Sequence, residues 1–386
     1  SLWTSSDFGA SWTEQAGLGS ECWRGVAMSG DGATVAAVVD QGSIWVSTDY
    51  GSSWSETSDP DSNSMPYMST TYNWRAVAAS SDGTTLAAAS DQGVWMSVDS
   101  GATWFQAYDA GMTYWSNLRD IAMSDDGSRM AVVDYSGNLY TSSDAYSWNS
   151  ASSYDDDTNM QDWQAIAMSA DGGTIVAVAT ANSNGEGGVY LSTDWGANWN
   201  SVVFGGSASL NLVDVAVAGS GSRLSAVANG GQGGQVWISA DAGATWATEP
   251  PAGITPAPTV PMAPAPTPAP SASPRAWSAI ASSADGARLA ATVSSGSIYT
   301  SADSGASWTE DATAGARNWA SIAMSADGQR LAAVEGSVDL SYCDVYGSLW
   351  TSSDFGASWT EQAGLGSECW RGVAMSGDGA TVAAVV

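Results

Sequence analysis

The chain of 386 residues has no histidine, and its ten basic residues are all arginine, so lysine is absent too. Those absences remove the usual general bases and the Schiff-base amine, leaving acid–base chemistry to carboxylates, tyrosines or thiols. Forty acidic residues against ten basic ones give a net charge of −30. That shortage of cations excludes the basic patches that nucleic acid or an anionic membrane surface requires. No apolar run approaches the roughly 20 residues of a membrane-spanning helix, so no membrane insertion is expected. There is no N-x-[ST] sequon, hence no indication of N-glycosylation. Neither a leader nor an initiator Met opens the sequence, which reads as part of something processed or longer.

What is present is ordered: 44% apolar residues, only 13% charged and 43 glycines. Internal repetition dominates. Aligned on tryptophan, the boxes are SSDFGASW from Ser5, STDYGSSW from Ser47, SVDSGATW from Ser97, STDWGANW from Ser192, SADAGATW from Ser239, SADSGASW from Ser301 and SSDFGASW again from Ser352. A shortened copy, SSDAYSW from Ser142, lacks the glycine. The box aspartates are Asp7, Asp49, Asp99, Asp144, Asp194, Asp241, Asp303 and Asp354, at intervals of 42 to 62 residues.

A second motif precedes each box, as in WRGVAMSGDG at Trp23 or WQAIAMSADG at Trp163. A small apolar run (TVAAVV) and a short stretch (SIWVS) follow it before the box. Short apolar runs bounded by Asp-Gly and Gln-Gly turns read as antiparallel strands joined by hairpins. Four strands, A to D, recur per unit of about 50 residues, the length of a propeller blade.

The box S-x-D-x-G-x-[ST]-W is similar to the Asp-box, or bacterial neuraminidase repeat, of sialidases, some xyloglucan-degrading glycosidases, sortilin-type receptors and a photosystem assembly factor. The resemblance implies an all-β propeller of four-stranded antiparallel Asp-box blades. In that family the box forms the C–D turn, its Asp caps the turn and its Trp packs into the blade. Asp and Gly suit such a turn through side-chain acceptance and positive φ. Sialidases of the family bind a carboxylate with three arginines and use a Tyr–Glu pair and an Asp acid. Neither that pair nor the FRIP-like opening of sialidases is found in this sequence.

Residues 1–39 recur without change as 348–386, an offset of 347 that equals the distance from the first box to the last. The duplication is thus in phase with seven unique repeats. The chain opens with strands C and D and closes with A and B. Two readings follow: an eight-bladed ring stitched from terminal half-blades, or a window on a tandem array of seven-bladed units.

Tryptophan invites a functional reading, but 19 of the 21 fall at box ends, strand A or strand C, which makes them core by phase. Trp115 and Trp195 fall outside the pattern and are candidates for exposed contacts. Alternating strand direction puts A–B and C–D turns on one face and the variable loops on the other: 56–73, 105–117, 150–162, 180–188, 249–275 and 335–347. Variable loops on a rigid scaffold commonly carry binding; tolerated insertions are the equal alternative.

Ten of the twelve prolines lie in 250–274, an extended segment whose Pro256, Pro258, Pro264, Pro266, Pro268 and Pro270 follow Ala or Thr. It resembles the hydroxyproline and O-glycan modules of plant and algal surface proteins; a flexible insert without function is as good a reading. Cys343 and Cys369 fall on the variable face of one blade and form a candidate disulfide, whereas Cys22 is left without a partner. Arg24, Arg75 and Arg119 share one strand-A position in three consecutive blades, a candidate cationic cluster at the channel mouth. Asp120 and Asp214 are off-consensus acids on inner strands, which a glycosidase pair would require. The run from Tyr154 to Asp157 offers oxygen ligands to calcium but lacks a loop-site spacing; otherwise no cofactor is expected.

These readings converge on an extracellular or cell-surface propeller with a structural or binding role, as one unit of a glycosylated filament or appendage. Its partners would be copies of itself, other extracellular proteins or glycans. The rivals are a carbohydrate-active enzyme and a protein-binding receptor or assembly-factor propeller.

Overall fold

A computed structural model describes the chain except for residues 20, 58–71, 108–117, 136, 145, 151–160, 181–186, 203–209, 230–233, 249–274, 312 and 337–344. The described residues form 32 strands and two single 3₁₀ turns. The strands group into four-stranded antiparallel blades, two of them joined through Asp40↔Asn73 and Gly42↔Tyr72 into one larger sheet.

Eight blades close the ring. Their innermost strands are Trp23–Met28, Tyr72–Ala79, Leu118–Met123, Asp162–Met168, Leu212–Val217, Trp277–Ser282, Trp319–Met324 and Gly372–Met375, numbered blades 1 to 8 in that order. Blade 8 is the seam: its A and B strands are Gly372–Met375 and Val382–Val385, its C and D strands Leu2–Ser5 and Thr13–Glu14. Trp3 pairs with Ala384 and Thr4 with Ala383. Of the two closures that the sequence leaves open, the 386-residue chain adopts the stitched one. Each copy of the 39-residue segment therefore straddles two blades, the first spanning 8 and 1, the second 7 and 8.

The core lies between blades. One cluster joins Ala87, Val94 and Met96 of blade 2 to Leu118, Met130 and Trp148 of blade 3, and the others follow the same scheme. Strand A tryptophans are sealed in these layers, with Trp23, Trp319 and Trp370 fully buried. Three of them tie to the preceding blade, as the indole of Trp74 donates to the Gly42 carbonyl (2.9 Å), that of Trp319 to Gly296 and that of Trp370 to Gly347 (both 3.0 Å). D strands shrink to two or three residues because the box turn consumes the chain up to its tryptophan.

A closed belt of backbone hydrogen bonds runs around the A–B turns. The N–H of Gly30 donates to Ser81, Ser81 to Asp125, Asp125 to Ala170, Ala170 to Gly219, Gly219 to Ala284, Ala284 to Ala326, Ala326 to Gly377 and Gly377 back to Gly30, all at 2.7–2.9 Å. With neighbouring chains about 4.8 Å apart, eight turns make a circle of about 6 Å radius around the axis.

Candidate functional site

The box turns are built alike. In blade 1, Asp49 Oδ1 accepts from the Ser53 N–H (2.8 Å) and the Ser47 hydroxyl (2.8 Å), while Oδ2 accepts from the Ser53 hydroxyl (2.6 Å). The Gly51 N–H donates to Ser47 Oγ, and the Trp54 indole donates to the Gly51 carbonyl (3.2 Å). Gly51 has φ +77°, and a Cβ there would meet Thr4 of blade 8 at 2.7 Å, so only glycine fits between the turn and the neighbouring blade. In the shortened copy Asp144 keeps its capping role through the N–H groups of Tyr146 and Ser147.

A second Ser-x-Asp cap closes the A–B turns, which sequence reasoning read only as Asp-Gly punctuation. Ser29 donates to Asp31 (2.7 Å) and Asp31 accepts from the Ala33 N–H. The same pattern recurs at Asp82, Asp126, Asp171, Asp285, Asp327 and Asp378. The two turns of a blade are bonded to each other, Tyr50 N–H to the Ala33 carbonyl in blade 1, so they share a face as strand direction predicts. Hydroxyl and amide donors hold the box carboxyls, and with them Asp31, Asp82, Asp126, Asp171, Asp285 and Asp327 of the A–B turns, below their ordinary range; for Asp49 the Ser53 hydroxyl leads.

Inner strands carry the remaining candidates. Seven of the eight A strands slip register at the residue after the motif's opening Trp or Leu, as between Trp23 and Gly25 or Leu118 and Asp120, and such bulges re-aim a side chain. Arg24, Arg75 and Arg119 are the bulged residues of blades 1, 2 and 3, and two of them are committed to acids. Arg24 pairs with Asp40 of its own blade. Arg119 pairs with Asp162 of blade 4 (3.2 Å), bonds Gln164 Oε1 (2.6 Å) and lies over the Tyr135 ring. Arg75 makes no ion pair among the described residues, so the candidate cluster is one available cation flanked by two neutralised ones.

Asp120 and Asp214 occupy the next position, half-buried at the inner edge of blades 3 and 5. Each carboxylate staples its blade to the next. Asp120 accepts from its neighbour Ile121 (2.9 Å) and from Ile166 of blade 4 (2.9 Å), Asp214 from Val215 (2.8 Å) and from Ile280 of blade 6 (2.8 Å). Burial pushes Asp120 up to about 6 and Asp214 up to about 7, outweighing the amide donors; the Asp120 charge adds to the rise at Asp214.

Trp195 is 53% exposed, as its position off the repeat predicts, and lies under the Arg129 guanidinium (5.2 Å). Trp115, the prolines of 250–274, the acidic run 154–157 and Cys343 lie outside the described residues, as do most of the variable loops. Cys369 is held in a disulfide while its twin Cys22 is a free, exposed thiol. No group of three potential metal ligands occurs among the described residues.

The fold and its turns define a β-propeller of Asp-box blades. The BNR-Asp box repeat family matches residues 2–15 and 349–362. No curated protein matches in sequence. Among solved structures, YCF48 from Cyanidioschyzon merolae is similar at TM-score 0.55 and 13% identity, over 81% of this chain and 92% of that one. A propeller in the mitotic checkpoint complex is similar at 0.54 and 12%, over 81% and 84%. A GH74 enzyme from Niastella koreensis reaches 0.46 and 15%, over 96% and 72%, too loose a superposition to bear on activity.

Proposed function

We propose that the chain is a rigid extracellular propeller with a binding and structural role, one unit of a glycosylated surface filament or appendage. The observation that carries the reading is how the charged groups are used. The box and A–B aspartates cap turns, Asp120 and Asp214 tie blades together, and Arg24 and Arg119 are neutralised by acids. A surface of ionised, hydrogen-bonded carboxylates at net charge −30 favours a soluble, mutually spaced unit. The likeness to a propeller that sits in a multi-protein complex supports protein partners in general. The test is the intact mass of the polypeptide on native cells, reduced and deglycosylated, with electron microscopy of the surface fraction. Masses of one or more whole propellers of this size, within fibrils, are expected. A single soluble unit inside the cell refutes the reading.

One observation favours a glycoside hydrolase as the second reading: two inner-strand carboxyls titrating near neutrality. Hydrolysis of a glycan by the chain, abolished by Asp214→Asn, would establish it.

A further inference from the structure

Four aromatic side chains stand where the box turn has no need of them. The residue after the box aspartate is in the left-handed region in every blade where it is described, and Ser100, Ala242 and Ser304 fill it without difficulty. Phe8, Tyr50, Trp195 and Phe355 place rings there, at φ +57° to +64°. Bulky residues are uncommon in that conformation, and strain of this sort gathers at functional sites.

Three of the four are consecutive around the ring. Phe355 belongs to blade 7, Phe8 to blade 8 and Tyr50 to blade 1. Each box sits on strand C of the blade before it: a Cβ on Gly9 would touch Thr351, one on Gly51 would touch Thr4, and one on Gly356 would touch Thr300. Phe8 and Tyr50 are 46% and 47% exposed, while Phe355 is half-buried. Arginines from the preceding blades hold two of them, Arg288 over Phe355 (4.7 Å) and Arg330 over Phe8 (3.6 Å). Beside each ring lies a box carboxylate fixed by its own turn, namely Asp354, Asp7 and Asp49.

We propose that this arc, Phe355–Phe8–Tyr50 on the box face, binds a neutral glycan chain. Like rings repeated once per blade on a rigid rim suit a ligand that is itself periodic, stacking the apolar faces of its sugars on the rings. The adjacent carboxylates accept hydroxyl hydrogens, and the guanidiniums supply donors. The many ionised aspartates of this face exclude a polyanion. Trp195, alone on blade 4, lies off the arc. The inference deepens the binding reading above and rests on it, naming a ligand class and a face opposite the variable loops.

The test uses the whole chain in affinity electrophoresis against mixed-linkage β-glucan, galactomannan, xyloglucan and arabinogalactan. Retardation by at least one is expected. The triple variant Phe8→Asn, Tyr50→Asn, Phe355→Asn should weaken it by tenfold or more, while Trp195→Asn leaves it within twofold. Because asparagine suits the left-handed region better than an aromatic residue, the triple variant should melt no lower than the parent. Retardation by none of the four, retardation unchanged in the triple variant, or a large fall in its Tm would each overturn the proposal. So would a triple variant altered only in self-association. A chain that assembles into fibrils yet ignores every glycan would keep the scaffold reading and lose this one.

Discussion

Aspartates of the turns and aspartates of the inner strands are the same side chain in opposite circumstances. Asp49 sits at the rim among hydroxyl and amide donors and is held below its ordinary range; Asp214 sits against the inner wall and is pushed up to about 7. Both accept two or more hydrogen bonds, so bonding alone does not separate them. What separates them is water: the turn acids keep it and the inner acids give much of it up. Acids inherited with the repeat stabilise as anions, whereas the two off-consensus acids tie blades together at an electrostatic cost.

The strongest way to break this contrast is to break a turn that an aspartate closes. Gly51→Ala should cost about 3 kcal/mol, from left-handed strain plus the overlap with Thr4. Gly17→Ala, with nothing within 4 Å, should cost under about 0.5 kcal/mol. Urea titration of the two variants checks the pair, and equal losses would remove the structural account of the box glycine.

Titration sharpens the contrast next. The raised carboxyls favour the folded state when protonated, so their contribution is full below the ordinary carboxyl range and is lost as pH rises through about 6 and about 7. The lowered turn acids do the reverse, contributing above that range and losing it as pH falls through their depressed values. Stability should therefore peak at mildly acid pH and fall by about 2 kcal/mol between pH 5 and 8, a figure reduced for the solvent at the channel wall. In Asp214→Asn the fall should be visibly smaller; the same slope in the variant would assign it to other groups.

Removing a turn acid outright should matter less. Asp49→Ala is expected to cost about 1 kcal/mol, as lost caps do, and to leave the slope between pH 5 and 8 unaltered. The smallest effect concerns Arg119, whose charge offsets part of the rise at Asp120. In Arg119→Gln the Asp120 carboxyl should titrate higher by a few tenths of a pH unit by NMR, and a downward move would contradict the assignment.

The repeating parts were legible in the sequence because they depend on neighbours within one hairpin. Ser-x-Asp-x-Gly specifies its own turn, and the phase of Trp23, Trp74 or Trp319 marks a buried face. Seam closure was legible as an alternative only, since strand pairs with the same apolar pattern serve seven or eight blades. The inner-strand chemistry was hidden by distance along the chain. Nothing near Asp120 announces that it bonds Ile166, 46 residues on, or that Arg119 reaches Asp162. The rings at Phe8, Tyr50 and Phe355 left a signal that could have been found: large residues at the box position just before the glycine, where the other copies, Trp195 apart, have serine or alanine.

The belt of A–B turns has an electrical consequence. Its eight peptide dipoles run head to tail along a circle, each polarising the next, and a closed loop of tangential dipoles sums to nothing. Unlike the end of a helix, the belt has no pole with which to attract an ion of either sign. Its character is left to side chains, and Asp125 is the one ionisable residue among the eight belt positions. Desolvation, then the adjoining Asp126, raises its pKa, so the belt is a neutral hoop bearing a single acid that acquires its charge late.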